Sequence, residues 1–243
     1  MYRFAQKVCL VSGATSGIGR ATALRLGQEG ATVVCLGREV KAGREIEAAI
    51  KATGSEALFI KTDVGKDTDL VEAVEITIAR FGRVDVLIND AAMMTYTPLL
   101  ETDPADWDKV LTVNLRALFR LSQLCLPHMQ GGAIVAVSSV HAFQTTPNVV
   151  PYAASKGATE AFIRGLSQEI PHTQARIVGI APGAVETPML RGNPNVQNGT
   201  EKVTGQIGTP EELAAAICFV ASPEATFING TTLVVDGGRL AQL

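Results

Sequence analysis

The stretch Lys7-Val8-Cys9-Leu10-Val11-Ser12-Gly13-Ala14-Thr15-Ser16-Gly17-Ile18-Gly19 decides the fold. Lys7 to Ser12 reads as a buried strand, glycines follow in the spacing G-x-x-x-G-x-G, and helical periodicity then runs from Ile18 to Gln28. A strand that turns through glycines into a helix opens a βαβ unit. Glycines let backbone approach a bound group closely, while the exposed N–H groups and the positive end of the helix favour an anion. Gly13, Thr15, Ser16, Gly17, Ile18 and Gly19 are therefore candidate contacts to a pyrophosphate.

The same alternation continues outward along the chain. Further strands are expected at Thr32 to Leu36, Ala57 to Lys61, Val84 to Ile88, Ala133 to Val137, Arg176 to Ile180 and Thr232 to Val235. Between them, helices are expected at Ala42 to Ala52, Asp67 to Phe81, Ala105 to Leu126, Ala153 to Ile170 and Pro210 to Ala221. Right-handed crossovers on this pattern give an α/β, doubly wound, seven-stranded parallel sheet between two helical layers. Ligands bind such sheets beyond the C-terminal strand ends, where the winding reverses. The expectation is one domain over 1–243, with Arg191 to Gly205, poor in apolar residues, as a mobile lid or a plain surface loop, and 189–207 as the candidate substrate loop.

Composition narrows the function. A net charge of −3 and no dense run of Lys and Arg argue against a nucleic-acid partner. No apolar run reaches membrane-spanning length and the N-terminus lacks a signal-peptide pattern, so a soluble, cytoplasmic protein is expected. Cys9, Cys35, Cys125 and Cys218 lie in apolar segments without a CxxC pair, and His128, His141 and His172 are dispersed, so buried free thiols and no metal site are expected.

The second strand ends in Leu36-Gly37-Arg38-Glu39. A dinucleotide fold uses an acid here for the ribose 2′-OH or an Arg for a 2′-phosphate. Gly37 leaves room and Arg38 offers a permanently charged, bidentate donor, which favours NADP(H); Glu39 would serve NAD(H). In Thr62-Asp63-Val64, Asp63 can accept from an adenine amino group or simply cap a turn.

Pro151-Tyr152-Ala153-Ala154-Ser155-Lys156 puts a phenol and an ammonium on one face of a helix. A neighbouring ammonium favours the phenolate, which makes Tyr152 a usable proton shuttle. Ser138-Ser139, delivered by the preceding strand to the sheet edge, can hold a substrate oxygen. Asn114 is an unfavourable choice inside the pattern Val110-Leu111-Thr112-Val113-Asn114-Leu115, and a helix interruption that exposes a backbone carbonyl would explain it.

With Asn89-Asp90-Ala91-Ala92, Pro182-Gly183 and Val235-Asp236-Gly237-Gly238, these motifs span the whole chain and resemble the short-chain dehydrogenase/reductase family, with its Rossmann-like three-layer sandwich. The resemblance implies Tyr152 as acid/base, Lys156 as the residue that binds the nicotinamide ribose and tunes Tyr152, Ser139 as the catalytic serine, and Asn114 in a water-linked relay to Lys156. It implies cofactor contacts at Asp63, Val64, Asn89, Ala91, Tyr152 and Lys156. It also implies contacts at Pro182, Gly183, Val185 and Thr187, the last two fixing the nicotinamide carboxamide. The sequence departs from the family at one place, where Asn89-Asp90-Ala91-Ala92 replaces Asn-Asn-Ala-Gly, bringing a carboxylate near the cofactor channel.

The implied reaction is hydride transfer between NADP(H), or NAD(H), and a secondary alcohol or ketone of simple ketone, sugar or 3-oxoacyl type. The implied assembly is a homotetramer or homodimer through the helices near Asn114 and Tyr152. A nicotinamide-sensing regulator without turnover is the other reading. Met93, Met94, Phe143, Met189, Leu190, His141, Gln144, Arg191 and Asn193 are the expected substrate-pocket residues.

Overall fold

Seven strands pair in the order β3-β2-β1-β4-β5-β6-β7, all parallel. They are β1 (Val8–Ser12), β2 (Thr32–Gly37), β3 (Ala57–Lys61), β4 (Val86–Asn89), β5 (Gly132–Val137), β6 (Ala175–Pro182) and β7 (Thr232–Val235). This computed structural model describes residues 2–200, 202–203 and 205–241. Residues 1, 242 and 243 of the expected domain, and 201 and 204 of the expected substrate loop, lie outside the described residues.

The pleat sends successive side chains to opposite faces, and both faces are covered. From β1, Cys9 and Val11 enter a core shared with α1 (Gly17–Gln28), α2 (Val40–Lys51) and α9 (Pro210–Ala221). Val8 and Leu10 enter the opposite core, built with α3 (Asp67–Phe81), α5 (Ala117–Cys125) and α6 (Val150–Glu169). Because β1 pairs with β2 on one side and β4 on the other, the winding reverses beside β1, and a crevice opens beyond its C-terminal end. All four cysteines are free and buried, and burial pushes each thiol above its ordinary range.

Several expected boundaries are corrected. β4 begins at Val86, not Val84, because Asp85 turns its carboxylate back to accept from the Val8 N–H at 2.9 Å and to pair with Lys7 and Arg83. β6 extends to Pro182, whose partner is Val235 on β7. The single helix expected over Ala105 to Leu126 is instead α4 (Pro104–Leu111), a π turn (Thr112–Arg116) and α5, followed by a 3-10 turn (Leu126–His128). Two short helices occupy this stretch, α7 (Pro188–Arg191), which ends where the expected lid begins, and α8 (Pro194–Gln197) within it. Each is started by a capping side chain, Thr187 or Asn193, followed by a proline at the first helical position. Four residues give no periodicity, so only these start signals were available to reveal them.

Candidate active site

The crevice is a cavity of about 870 Å³, and its residues converge from the ends of β1, β2, β3, β4, β5 and β6. At one end the β1–α1 loop contributes Gly13, Thr15, Ser16, Gly17 and Ile18. Gly13 adopts φ 72°, the left-handed region that favours glycine. Gly19 lies behind the wall: a Cβ there would come within 2.6 Å of Asp90 Oδ2 and closer still to the Gly13 carbonyl, so only glycine lets α1 start against this loop and the β4 end. Gly37 gives its space to the Thr15 side chain rather than leaving it open to a ligand. Arg38 is exposed at the rim.

Asp63 and Val64 line the cavity, with Asp63 Oδ1 accepting from the Gly65 N–H at 3.0 Å. Both readings of Asp63 therefore have a place, since one carboxylate oxygen caps a turn at the cavity wall. Ala91 faces the cavity, whereas Asn89 is buried below it within reach of Ser12 Oγ, 3.4 Å away. The Ser12 hydroxyl in turn accepts from the Asp90 and Ala91 N–H groups, each at 3.2 Å, and so ties the β4 end to β1. Ala92 avoids the positive-φ region, so the alanine that replaces the family's glycine imposes no backbone strain.

Across the cavity, Tyr152 and Lys156 project from the first two turns of α6, where Pro151 is tolerated because its missing N–H would be unpaired anyway. Ser139, at the end of β5, caps the short turn Val140–Ala142 by accepting from the His141 N–H at 3.1 Å. The edge of the His141 ring packs against Tyr152 at 5.7 Å between centroids. Lys156 Nζ donates to the Val137 carbonyl at 2.7 Å and stands 5.6 Å from the Tyr152 ring centre. Pro182, Gly183, Val185 and Thr187 also line the cavity, with the Thr187 side chain lying against Gly17 of the glycine loop.

Burial sets the charge states. It pushes the Tyr152 phenol up to about 12, opposed by a hydrogen bond with Ser139 and reinforced by Tyr96 and Asp90. It lowers the Lys156 ammonium to about 8, against the pull of Asp90 and Glu160. The hydrogen bond with Ser139 thus eases the phenol toward ionisation.

Asn114 lies in the π turn, so the expected interruption is present, but its side chain is fully engaged and off the cavity wall. Its Nδ2 donates to the Met93 carbonyl and to Ser155 Oγ, both at 2.9 Å, and its Oδ1 accepts from the Met93 N–H at 2.8 Å. Asn114 therefore clamps the β4 loop to α6 beneath Tyr152.

Of the expected pocket residues, Met93, Met94, His141, Met189, Leu190 and Asn193 line the cavity. Phe143, Gln144 and Arg191 do not: Phe143 and Gln144 are exposed, and Arg191 pairs with Glu186 outside. Tyr96, Lys109, Val113 and Arg239 join the wall unforeseen, because no local spacing marks a residue brought in by loop path alone. Tyr96 also bridges the cavity, its hydroxyl donating to the Met189 carbonyl at 3.4 Å.

A glycine loop at the switch point of a parallel sheet, facing a buried phenol and ammonium, defines a nicotinamide-dependent oxidoreductase of alcohol and carbonyl groups. Comparison with known proteins agrees. Residues 13–239 match the family model described as enoyl-(acyl carrier protein) reductase. The 3-oxoacyl-[acyl-carrier-protein] reductase of Thermotoga maritima is 35% identical over 97% of this chain and 98% of that protein. Among solved structures, 7α-hydroxysteroid dehydrogenase complexed with NADH and 7-oxo glycochenodeoxycholic acid is similar with a TM-score of 0.91. It is 29% identical, covering 98% of this chain and 95% of that one. A short-chain dehydrogenase from Burkholderia cenocepacia in complex with NADP is similar with a TM-score of 0.88 and 31% identity, covering 97% of this chain and 98% of that one. The chain belongs to the short-chain dehydrogenase/reductase family.

Proposed function

We propose that this chain, as a single catalytic domain, transfers a hydride reversibly between NADP(H) and a secondary alcohol or ketone. The observation that carries the reading is that Ser139, Tyr152 and Lys156 line the same cavity as the glycine loop. The cradle fits a dinucleotide, since a Cβ at Gly13 or Gly19 would fill the space against the β4 end. The bound nicotinamide supplies or accepts the hydride.

The chain's own residues do the rest. In reduction, Tyr152 donates its phenolic proton to the substrate oxygen, which the Ser139 hydroxyl holds as charge develops. A phenol pushed up to about 12 stays protonated through neutral pH, which suits this direction. Lys156 holds the nicotinamide ribose and Asn114 keeps α6 and the β4 loop in register around it. Gly17, Ile18, Ala91, Pro182 and Gly183 approach the cofactor through backbone, and Val185 and Thr187 fix its carboxamide. Met189, Leu190 and Asn193 support 189–207 as the substrate loop, and the Met93, Met94 and Tyr96 side of the cavity favours a ketone with an apolar body.

Arg38 at the rim beyond β2 favours NADP(H). Glu39 leaves the NAD(H) reading a specific support, since it heads α2 without a side-chain capping bond. Self-association is proposed through the α5–α6 side, where Phe119 and Val150 are exposed. Buried thiols fit a reducing, cytoplasmic setting, and no described helix is long and apolar enough to cross a membrane.

The test is oxidation of NADPH and of NADH, followed at the nicotinamide absorbance, across cyclic, sugar and 3-oxoacyl ketones. Ketone-dependent turnover that prefers NADPH is expected; binding without turnover by any ketone would favour a redox-sensing regulator.

A further inference from the structure

Asp90 brings a carboxylate to the N-terminal end of α1. The first turn of that helix carries no acid of its own, and Ser16 gives it no side-chain cap. Asp90 arrives instead from the end of β4, its backbone N–H fixed by Ser12 Oγ. Its Oδ2 lies 3.1 Å from where a Cβ of Gly13 would be and 2.6 Å from that of Gly19, and the Gly19 N–H donates to the carboxyl. A carboxylate here is held where helix N–H groups and the macrodipole favour an anion, the same features that would receive a pyrophosphate.

We propose that Asp90 is a built-in anion beneath the dinucleotide loop, and that it takes a proton from solvent when the cofactor's pyrophosphate occupies that loop. This rests on the reading that the cavity binds a dinucleotide. The step is a simple protonation, carboxylate plus H⁺ to carboxylic acid, with no covalent bond to the cofactor. Two like charges at one helix end repel through a medium less screening than water, so loading drives the carboxyl neutral.

The surroundings make this possible near neutrality. From the β1–α1 loop, Asp90 meets the backbone of Gly13 and Gly19; from α6 it faces the Lys156 ammonium and the Tyr152 phenol, with Glu160 acting on Lys156 one turn further on. Burial outweighs Lys156 and the Gly19 N–H, raising the Asp90 carboxyl to about 7. Neutralising Asp90 also removes one anion that holds the Tyr152 phenol up. Cofactor loading therefore eases the proton transfer that follows.

Calorimetric titration of NADPH and of NADH, in two buffers of different ionisation enthalpy, counts the protons taken up. At pH 7.5 the wild type should take up about half to three-quarters of a proton more than Asp90→Asn, a difference that cancels titration of the cofactor's own phosphate. Its affinity should fall about tenfold from pH 6 to pH 8, and that of Asp90→Asn should stay flat by comparison. If Asp90→Asn does not fold, the wild type with NADH decides, with uptake near neutrality that vanishes by pH 5. Equal uptake in both proteins, or uptake independent of pH, overturns the inference while leaving the dinucleotide site intact. Failure of both dinucleotides to bind overturns the reading beneath it as well.

Discussion

The two walls of the cavity are built differently. One is backbone: the Gly13 to Ile18 loop, the end of β4 at Ala91 and the Pro182–Gly183 turn, all anchored in the fully buried strands β1, β4 and β6. The other is side chain: Met93, Met94, Tyr96, Met189 and Leu190, carried on loops and on four-residue helices. Backbone donors at strand ends suit a ligand that never changes. Thioether and aromatic side chains on loops can be exchanged without touching the sheet, and so suit the ligand that differs between relatives.

This contrast can be broken. Ser139→Ala, at the strand-end wall beside Tyr152, should lower kcat by about 10²- to 10³-fold with little change in cofactor affinity, as for loss of one donor to a developing oxyanion. Steady-state kinetics checks it. Gly19→Ala should weaken dinucleotide binding tenfold or more, because overpacking against Asp90 costs about 1–3 kcal/mol; calorimetry reads this directly. Arg38→Asp should weaken NADPH by about tenfold or more, as expected for loss of a charge-assisted hydrogen bond, and NADH much less. Equal loss for both would remove Arg38 as the phosphate ligand. Met189→Ala should change KM several-fold with kcat nearly constant, the size of a few methylenes in a binding pocket, about 1–3 kcal/mol at most. A loss of kcat as large as that of Ser139→Ala would erase the distinction between the walls.

The backbone wall was also the legible one. A strand, a G-x-x-x-G-x-G turn and a helix follow from local chemistry, so the place of Gly13 to Gly19 is legible in the sequence. Tyr152 and Lys156 were legible because a four-residue spacing on a helix fixes their common face. What Asn114 holds was not, since its contacts to Met93 and Ser155 span 21 and 41 residues. Nor could Tyr96 or Arg239 be foreseen, because their positions depend on how loops return to the cavity. Asp90 was visible as a departure, yet its seat under Gly13 and Gly19 depends on β1 and β4 being neighbours across 77 residues.

The most direct test of the account is a single-turnover measurement on Tyr152→Phe saturated with NADPH and a ketone the wild type reduces. Because the phenol is assigned to proton transfer, the hydride-transfer rate should fall by at least about 10²-fold while NADPH affinity stays within about threefold. A variant that binds NADPH and reduces the ketone at the wild-type rate would contradict it.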